Sequence, residues 1–245
     1  MTPDVVDMRS FYATPLGAVA RRCILRIVRG QWQQTAGLSL LGVGYATPYL
    51  DAFRGEALRT LAFMPAEMGV VNWPPDARSA TALVETTAMP LPDACIDRLL
   101  LVHGLEGAEH PRQLLAEIWR ILTPGGRLII VAPNRRGLWA RFDTTPFGSG
   151  QPYSRRQLRD LLREALFSPL HFAEALYMPP SGAALVLRAS AVFERFGASL
   201  SLPGAGVLAV EATKLLYRPV PARRTLRQGV PQLQPALVPA AGRSA

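Results

Sequence analysis

Lysine is almost missing from this chain: among its 27 basic residues only Lys214 is not an arginine. The formal net charge of +9 is therefore carried by guanidinium groups, which favours anionic partners over cationic ones. Cysteine is nearly as scarce. Cys23 and Cys95 stand alone, which excludes a disulfide framework and a cysteine-based metal site. The three histidines offer little to a metal either. His103, Glu106 and His110 fall near one another, but Gly104, Gly107 and Pro111 break any regular helical face, so no metal is expected. Long uncharged apolar runs are also absent. None reaches the roughly 18 residues of a membrane span, and Met1–Asp4 does not open a signal peptide. A reducing cytoplasm is the expected location.

What is present is the makeup of a globular protein. A hydrophobic fraction of 49% over 245 residues supports one α/β domain with a large core. Its organising stretch is Gly37–Asp51, where the apolar run Leu38–Leu41 meets Gly42-Val43-Gly44. That pattern predicts a buried strand ending in a tight turn, the place where an α/β sheet admits a nucleotide-like ligand against its backbone.

The remaining periodicities alternate strand and helix. Residues 16–32 read as an amphipathic helix with Arg22, Arg26 and Arg29 on one side. Strands are expected at Ala57–Phe63, Thr81–Glu85, Ile96–Val102, Arg127–Ala132, Leu170–Tyr177 and Gly206–Tyr217. Helices are expected over 111–122, stopped by Thr123-Pro124-Gly125-Gly126, and from Ser154, whose spacing to Gln157 is that of a capping box. Ser168-Pro169 is expected to break the latter helix, and a further helix over 183–196 to end at Gly197. Such alternation implies a mostly parallel sheet with helices on both faces and a ligand at the carboxyl ends of its strands. The expected organisation is a helical extension over 1–36, the α/β domain over 37–217, and a disordered tail over 218–245 rich in Pro, Ala, Arg and Gln.

Several blocks, in this order, resemble the class I S-adenosylmethionine-dependent methyltransferases of the form often called type 11. Met89-Pro90-Leu91-Pro92-Asp93-Ala94-Cys95-Ile96-Asp97-Arg98-Leu99-Leu100 is similar to the block before that family's fourth strand. Glu117-Ile118-Trp119-Arg120-Ile121-Leu122-Thr123-Pro124-Gly125-Gly126-Arg127-Leu128 is similar to its following helix–turn–strand. The flanks Arg9–Gly17, Pro133–Arg141 and Val210–Lys214 resemble an uncharacterised bacterial subgroup. The resemblance implies a Rossmann-like fold with a seven-stranded sheet and a site for S-adenosylmethionine. Gly42 and Gly44 match the first two glycines of its glycine-rich motif, with Ala46 where the third is usual; Glu85 matches its adenine-binding acid, followed by Thr86 and Thr87, and His103 lies beside the methionine part. Leu40 and Phe63 stand where the family usually has acids. Glu67, four residues on, would reach the ribose only if its loop folds back, which the spacing disfavours.

Methyl transfer needs in-line positioning more than a fixed catalytic group, and where a base is required His103 is the candidate. A substrate arm follows the fifth strand. Arg135, Arg136 and Arg141, interleaved with Trp139 and Tyr153, pair anion-binding guanidinium groups with stacking surfaces. The competing expectation for this arm is a structural cover of the sheet edge. Two functional expectations result. One is a methyltransferase acting on an anionic or nucleic-acid-related acceptor. The other, favoured by Leu40 and Phe63, is a methyltransferase-fold partner subunit without catalysis, which the resemblance links to a glyoxalase II-type hydrolase.

Overall fold

The computed structural model describes residues 4–199 and 204–216. Two helices lead in, α1 (Val5–Ala13) and α2 (Pro15–Gln31). Thr14 between them caps α2, its hydroxyl accepting from the Gly17 amide at 3.0 Å, and Pro15 occupies the first turn, where a missing N–H costs nothing. Strand β1 (Ser39–Gly44) follows, then the single turn α3 (Thr47–Leu50), β2 (Arg59–Pro65), β3 (Thr81–Val84), β4 (Ile96–Val102) and α4 (Pro111–Ile121). The second half contains β5 (Leu122–Pro133), two short 3-10 turns at Trp139–Arg141 and Pro146–Gly148, α5 (Arg155–Glu164), β6 (Phe167–Ala175), α6 (Ala184–Arg188), α7 (Ser190–Ser199) and β7 (Val207–Lys214).

The strands form one seven-stranded sheet in the order β3-β2-β1-β4-β5-β7-β6. The first five run parallel, and β7 enters antiparallel between β5 and the edge strand β6. Apolar residues fill both faces because helices cover both. Leu40, Leu100, Ile129 and Val131 pack with Ile24, Val28 and Trp32 of the amino-terminal segment and with Tyr49 and Leu50. Their chain neighbours Leu41, Leu99, Leu101, Leu128 and Ile130 pack on the opposite face with Leu114, Ile118, Leu158 and Leu162 of α4 and α5. The amino-terminal helices therefore share one core with the sheet.

Four local expectations are corrected. Gly42-Val43-Gly44 is not a turn: it is the last part of β1, hydrogen-bonded in register to β2 and β4. Thr123–Gly126 does not precede β5 but is its extended first part, with Gly125 at a φ of +73°. Pro169 lies inside β6, tolerated because β6 is an edge strand and its register shifts between Pro169 and His171. The helix over 183–196 is two helices, α6 and α7, and Gly197 lies within α7 against the Tyr177 ring rather than ending it. The capping box at Ser154 is present, with the Gln157 amide donating to Oγ at 3.2 Å and the Ser154 amide to Oε1 at 2.9 Å. The expected tail over 218–245 lies outside the described residues.

Candidate functional site

The sheet order runs outward in both directions from the β1–β4 pair, so a crevice opens at the carboxyl ends beside that pair. A cleft of about 270 Å³ lies there, lined by Glu67 after β2, Glu85, Thr86 and Thr87 after β3, and His103, Gly104 and Gly107 after β4. Its size is just under the roughly 300–1,000 Å³ of common small-molecule sites. Glu85 is held locally, its Oε1 accepting from the Thr87 hydroxyl at 3.0 Å and the Thr87 amide at 3.3 Å. Glu67 is the residue that sequence reasoning set aside. Because β2 continues to Pro65, the loop after it brings Glu67 to the cleft that Glu85 also lines.

Leu40 and Phe63 are placed differently from the expectation. Both are buried in the core, Leu40 beneath Tyr49 and Leu50, Phe63 among Leu41, Val43 and Leu101. Neither lines the cleft, so no carboxylate is missing from it at those positions. The glycines answer a packing demand. A Cβ on Gly42 would lie 2.6 Å from Ala46 Cβ and 2.6 Å from a Leu50 methyl, so Gly42 lets α3 pack on β1. Gly44 has a φ of +79°, and its Cβ would run into the Val102 carbonyl and the His103–Gly104 backbone. These glycines allow the strand ends and α3 to close on one another, and Ala46 is buried with them; none of the three lines the cleft.

His103 stands at the inner end of the cleft with a φ of +54°, an uncommon conformation for a residue with a side chain. Its imidazole turns inward. Nε2 lies 2.8 Å from the Tyr12 hydroxyl and Nδ1 lies 3.2 Å from Glu106 Oε1. The Tyr12 hydroxyl also meets that of Tyr49 at 2.7 Å. Assigning Nδ1–H as donor to Glu106 leaves Nε2 to accept from Tyr12, which gives a hydrogen-bonded chain Tyr49–Tyr12–His103–Glu106. Burial, followed by the neighbouring Tyr49, pushes the Tyr12 phenol well above its usual range, so it stays protonated and can donate. Glu106 Oε2 is buried without a hydrogen-bond partner. Tyr12 stacks on Tyr45 at 5.6 Å between ring centroids, and Phe147 lies 4.7 Å from the His103 ring. Aromatic side chains thus fill the space inward of the cleft. Of these residues sequence reasoning named His103 and, only as a metal candidate it set aside, Glu106; Tyr12 sat inside the flank Arg9–Gly17 without a signal of its own.

The expected substrate arm does not come together. Trp139 is fully buried and its indole N–H donates to the Met178 carbonyl at 2.7 Å. Tyr153 is buried against Leu105. Neither offers a face for stacking. Arg136 and Arg141 meet in a separate groove, Arg135 lies outside it, and that groove shares no lining residue with the cleft. Among the described residues no group of three or more His, Cys, Asp or Glu could hold a metal ion. Among them, too, no helix is long and apolar enough to cross a membrane.

Residues 41–130 match the family described as a methyltransferase domain. A demethylmenaquinone methyltransferase of Deinococcus radiodurans is 44% identical over 53 residues, 21% of this chain and 22% of that protein. A ubiquinone/menaquinone biosynthesis C-methyltransferase UbiE of a Marinomonas species is 28% identical over 115 residues, 47% of this chain and 44% of that protein. The chain thus spans from about a fifth to under half the length of these curated relatives. Among solved structures, a possible histamine N-methyltransferase of Thermotoga maritima superposes with a TM-score of 0.60 at 17% identity, covering 86% of this chain and 96% of that one. The [4+2]-cyclase SpnF does so with a TM-score of 0.56 at 22% identity, covering 80% of each chain. At such identities the likeness is one of fold. Residues 41–130 thus match a methyltransferase domain, carried on a fold shared with these solved structures.

Proposed function

We propose that the protein is a methyltransferase whose donor, S-adenosylmethionine, binds in the cleft between Glu67, Glu85 and His103. The observation that carries this reading is the pair of carboxylates, Glu67 and Glu85, that line one cleft at the sheet's crevice. Glu85, steadied by Thr87, accepts from the adenine amino group, and Glu67 accepts from the ribose hydroxyls. Thr86 lines the cleft between them, and Gly104 and Gly107 let backbone approach the ligand closely. The donor supplies a methyl group on a positively charged sulfur. The chain's own contribution is to orient, to exclude water and, where the acceptor carries a proton, to receive it. His103 serves in this last role through Tyr12, because its Nε2 is already occupied by that hydroxyl.

The acceptor is not framed by the arginines, whose groove is separate from the cleft. The partner-subunit reading rested on Leu40 and Phe63, and the burial of both removes its main support.

Calorimetric titration tests the proposal. S-adenosylmethionine or its demethylated product should bind at micromolar to sub-millimolar strength. Glu67→Ala and Glu85→Ala should each weaken binding roughly ten- to a hundredfold, the effect of leaving a ligand hydroxyl or amine without its acceptor. No heat at millimolar ligand, with a protein shown to be folded, would overturn it.

A further inference from the structure

We propose that the groove between α7 and the Arg136–Arg141 turn is a docking surface for an anionic phospholipid bilayer. The groove holds about 510 Å³ and is walled by Leu138, Val192, Phe193 and Phe196, with Arg136 and Arg141 also lining it. Its apolar side chains are open to solvent: Leu138 is 43% exposed, Val192 53%, Phe193 39% and Phe196 61%. On the preceding helix α6, Leu185 is 80% exposed. A soluble monomer rarely leaves such a set of large apolar groups in water without a surface to bury them against.

Charge selects the occupant. Among the described residues, none of the groove's lining side chains is an acid. Glu194, the only acid of α6 and α7, is buried, its carboxylate accepting from the Leu176 and Tyr177 amides at 3.2 and 2.8 Å. Glu174 on β6 accepts from the Tyr177 hydroxyl at 3.1 Å. Asp143, beyond the turn, lines a different cavity. Exposed on the groove itself are Arg136 and Arg141. Apolar side chains flanked by two guanidinium groups fit the boundary between acyl chains and anionic headgroups, where the rings enter and the arginines stay at phosphate level. The net charge of +9 adds a long-range attraction in the same direction. The groove shares no lining residue with the donor cleft, so the proposal stands independently of the methyl-transfer reading.

Co-sedimentation of the full chain with vesicles tests it. Binding to equimolar phosphatidylglycerol and phosphatidylcholine should exceed binding to phosphatidylcholine alone, and should fall as salt is raised. Arg136→Ala and Arg141→Ala should each weaken it roughly fivefold. Val192→Ser with Phe193→Ser should abolish it, while S-adenosylmethionine calorimetry stays unchanged. Equal sedimentation of wild type and both sets of variants would overturn the proposal. So would a concentration-dependent dimer in ultracentrifugation that is lost in Val192→Ser with Phe193→Ser, since a second copy would then occupy the groove.

Discussion

At Gly44 two separate constraints meet. The backbone has a φ of +79°, and any Cβ would be driven into the Val102 carbonyl and the Gly104 amide, which belong to the end of the neighbouring strand. The same strand ends are joined by the Tyr45 amide, which donates to the Val102 carbonyl at 2.8 Å. Gly44→Ala should therefore cost on the order of 2–4 kcal/mol of stability, from backbone strain plus overpacking. A thermal or denaturant melt checks this, and a loss of donor binding with no loss of stability would place the glycine against the ligand instead. The sequence pattern at this site was legible as a motif but not as a cause. Gly-x-Gly signals a close approach, and only the three-dimensional partner says whether a ligand or a strand makes it. Glu67 was hidden for a related reason: its role depends on where β2 stops, and strand ends are poorly marked when an apolar run such as Phe63-Met64-Pro65 crosses them.

Among the elements, α4 has the clearest ionic tie. Glu117 Oε1 accepts from the Met89 amide at 2.7 Å and from Arg120 Nη2 at 2.7 Å, while Arg120 also donates to the Leu91 and Met89 carbonyls at 2.9 and 3.1 Å. The helix thereby pins the loop that leads into β4. The Arg120 guanidinium holds the Glu117 carboxyl below its ordinary value of 4.5. A depressed carboxyl stabilises the fold above its unfolded value, and that contribution is lost as the pH falls through the lower folded one. Glu117→Gln should therefore lower stability by about 1–2 kcal/mol at neutral pH, a figure reduced for the partly exposed arginine. Melting both proteins across the acid range checks the sign: the difference should shrink below pH 4.5. This helix was readable from its period and its Pro111, and α5 from its capping box, because both signals are local. The split between α6 and α7 was not, since no proline or charge pattern marks it, and Pro169 misled because edge strands tolerate what central strands cannot.

For the molecule as a whole, the amino-terminal helices hold the sheet through an apolar interface with several polar ties, among them Val5 to Met68, Arg21 to Pro48 and, innermost, Tyr12. Tyr12 reaches from α1 to His103 beyond β4 and to Tyr49 of α3. Tyr12→Phe keeps the ring packing but leaves His103 Nε2 and the Tyr49 hydroxyl each short of a partner. The expected cost is about 1–3 kcal/mol. Faster proteolytic cleavage near Thr14 should accompany it, and an unchanged cleavage rate would show that α1 is retained without the Tyr12 hydroxyl. The parallel sheet and its crevice followed from the alternation of strands and helices. The contact between residues 12 and 103 did not, because nothing local to either position predicts a partner so distant in the chain.

Lys214 has a consequence of another kind. Its ammonium group is buried, donating to the Leu122 carbonyl at 2.7 Å and lying 4.0 Å from the Trp119 ring centroid. Since no other lysine exists in the chain, the folded surface offers no accessible side-chain amine. Acetylation, isopeptide tagging and amine-directed crosslinking have no side chain to act on until β7 opens. The cationic exterior, made of guanidinium alone, keeps its charge far into the alkaline range, where a lysine-rich surface would have discharged.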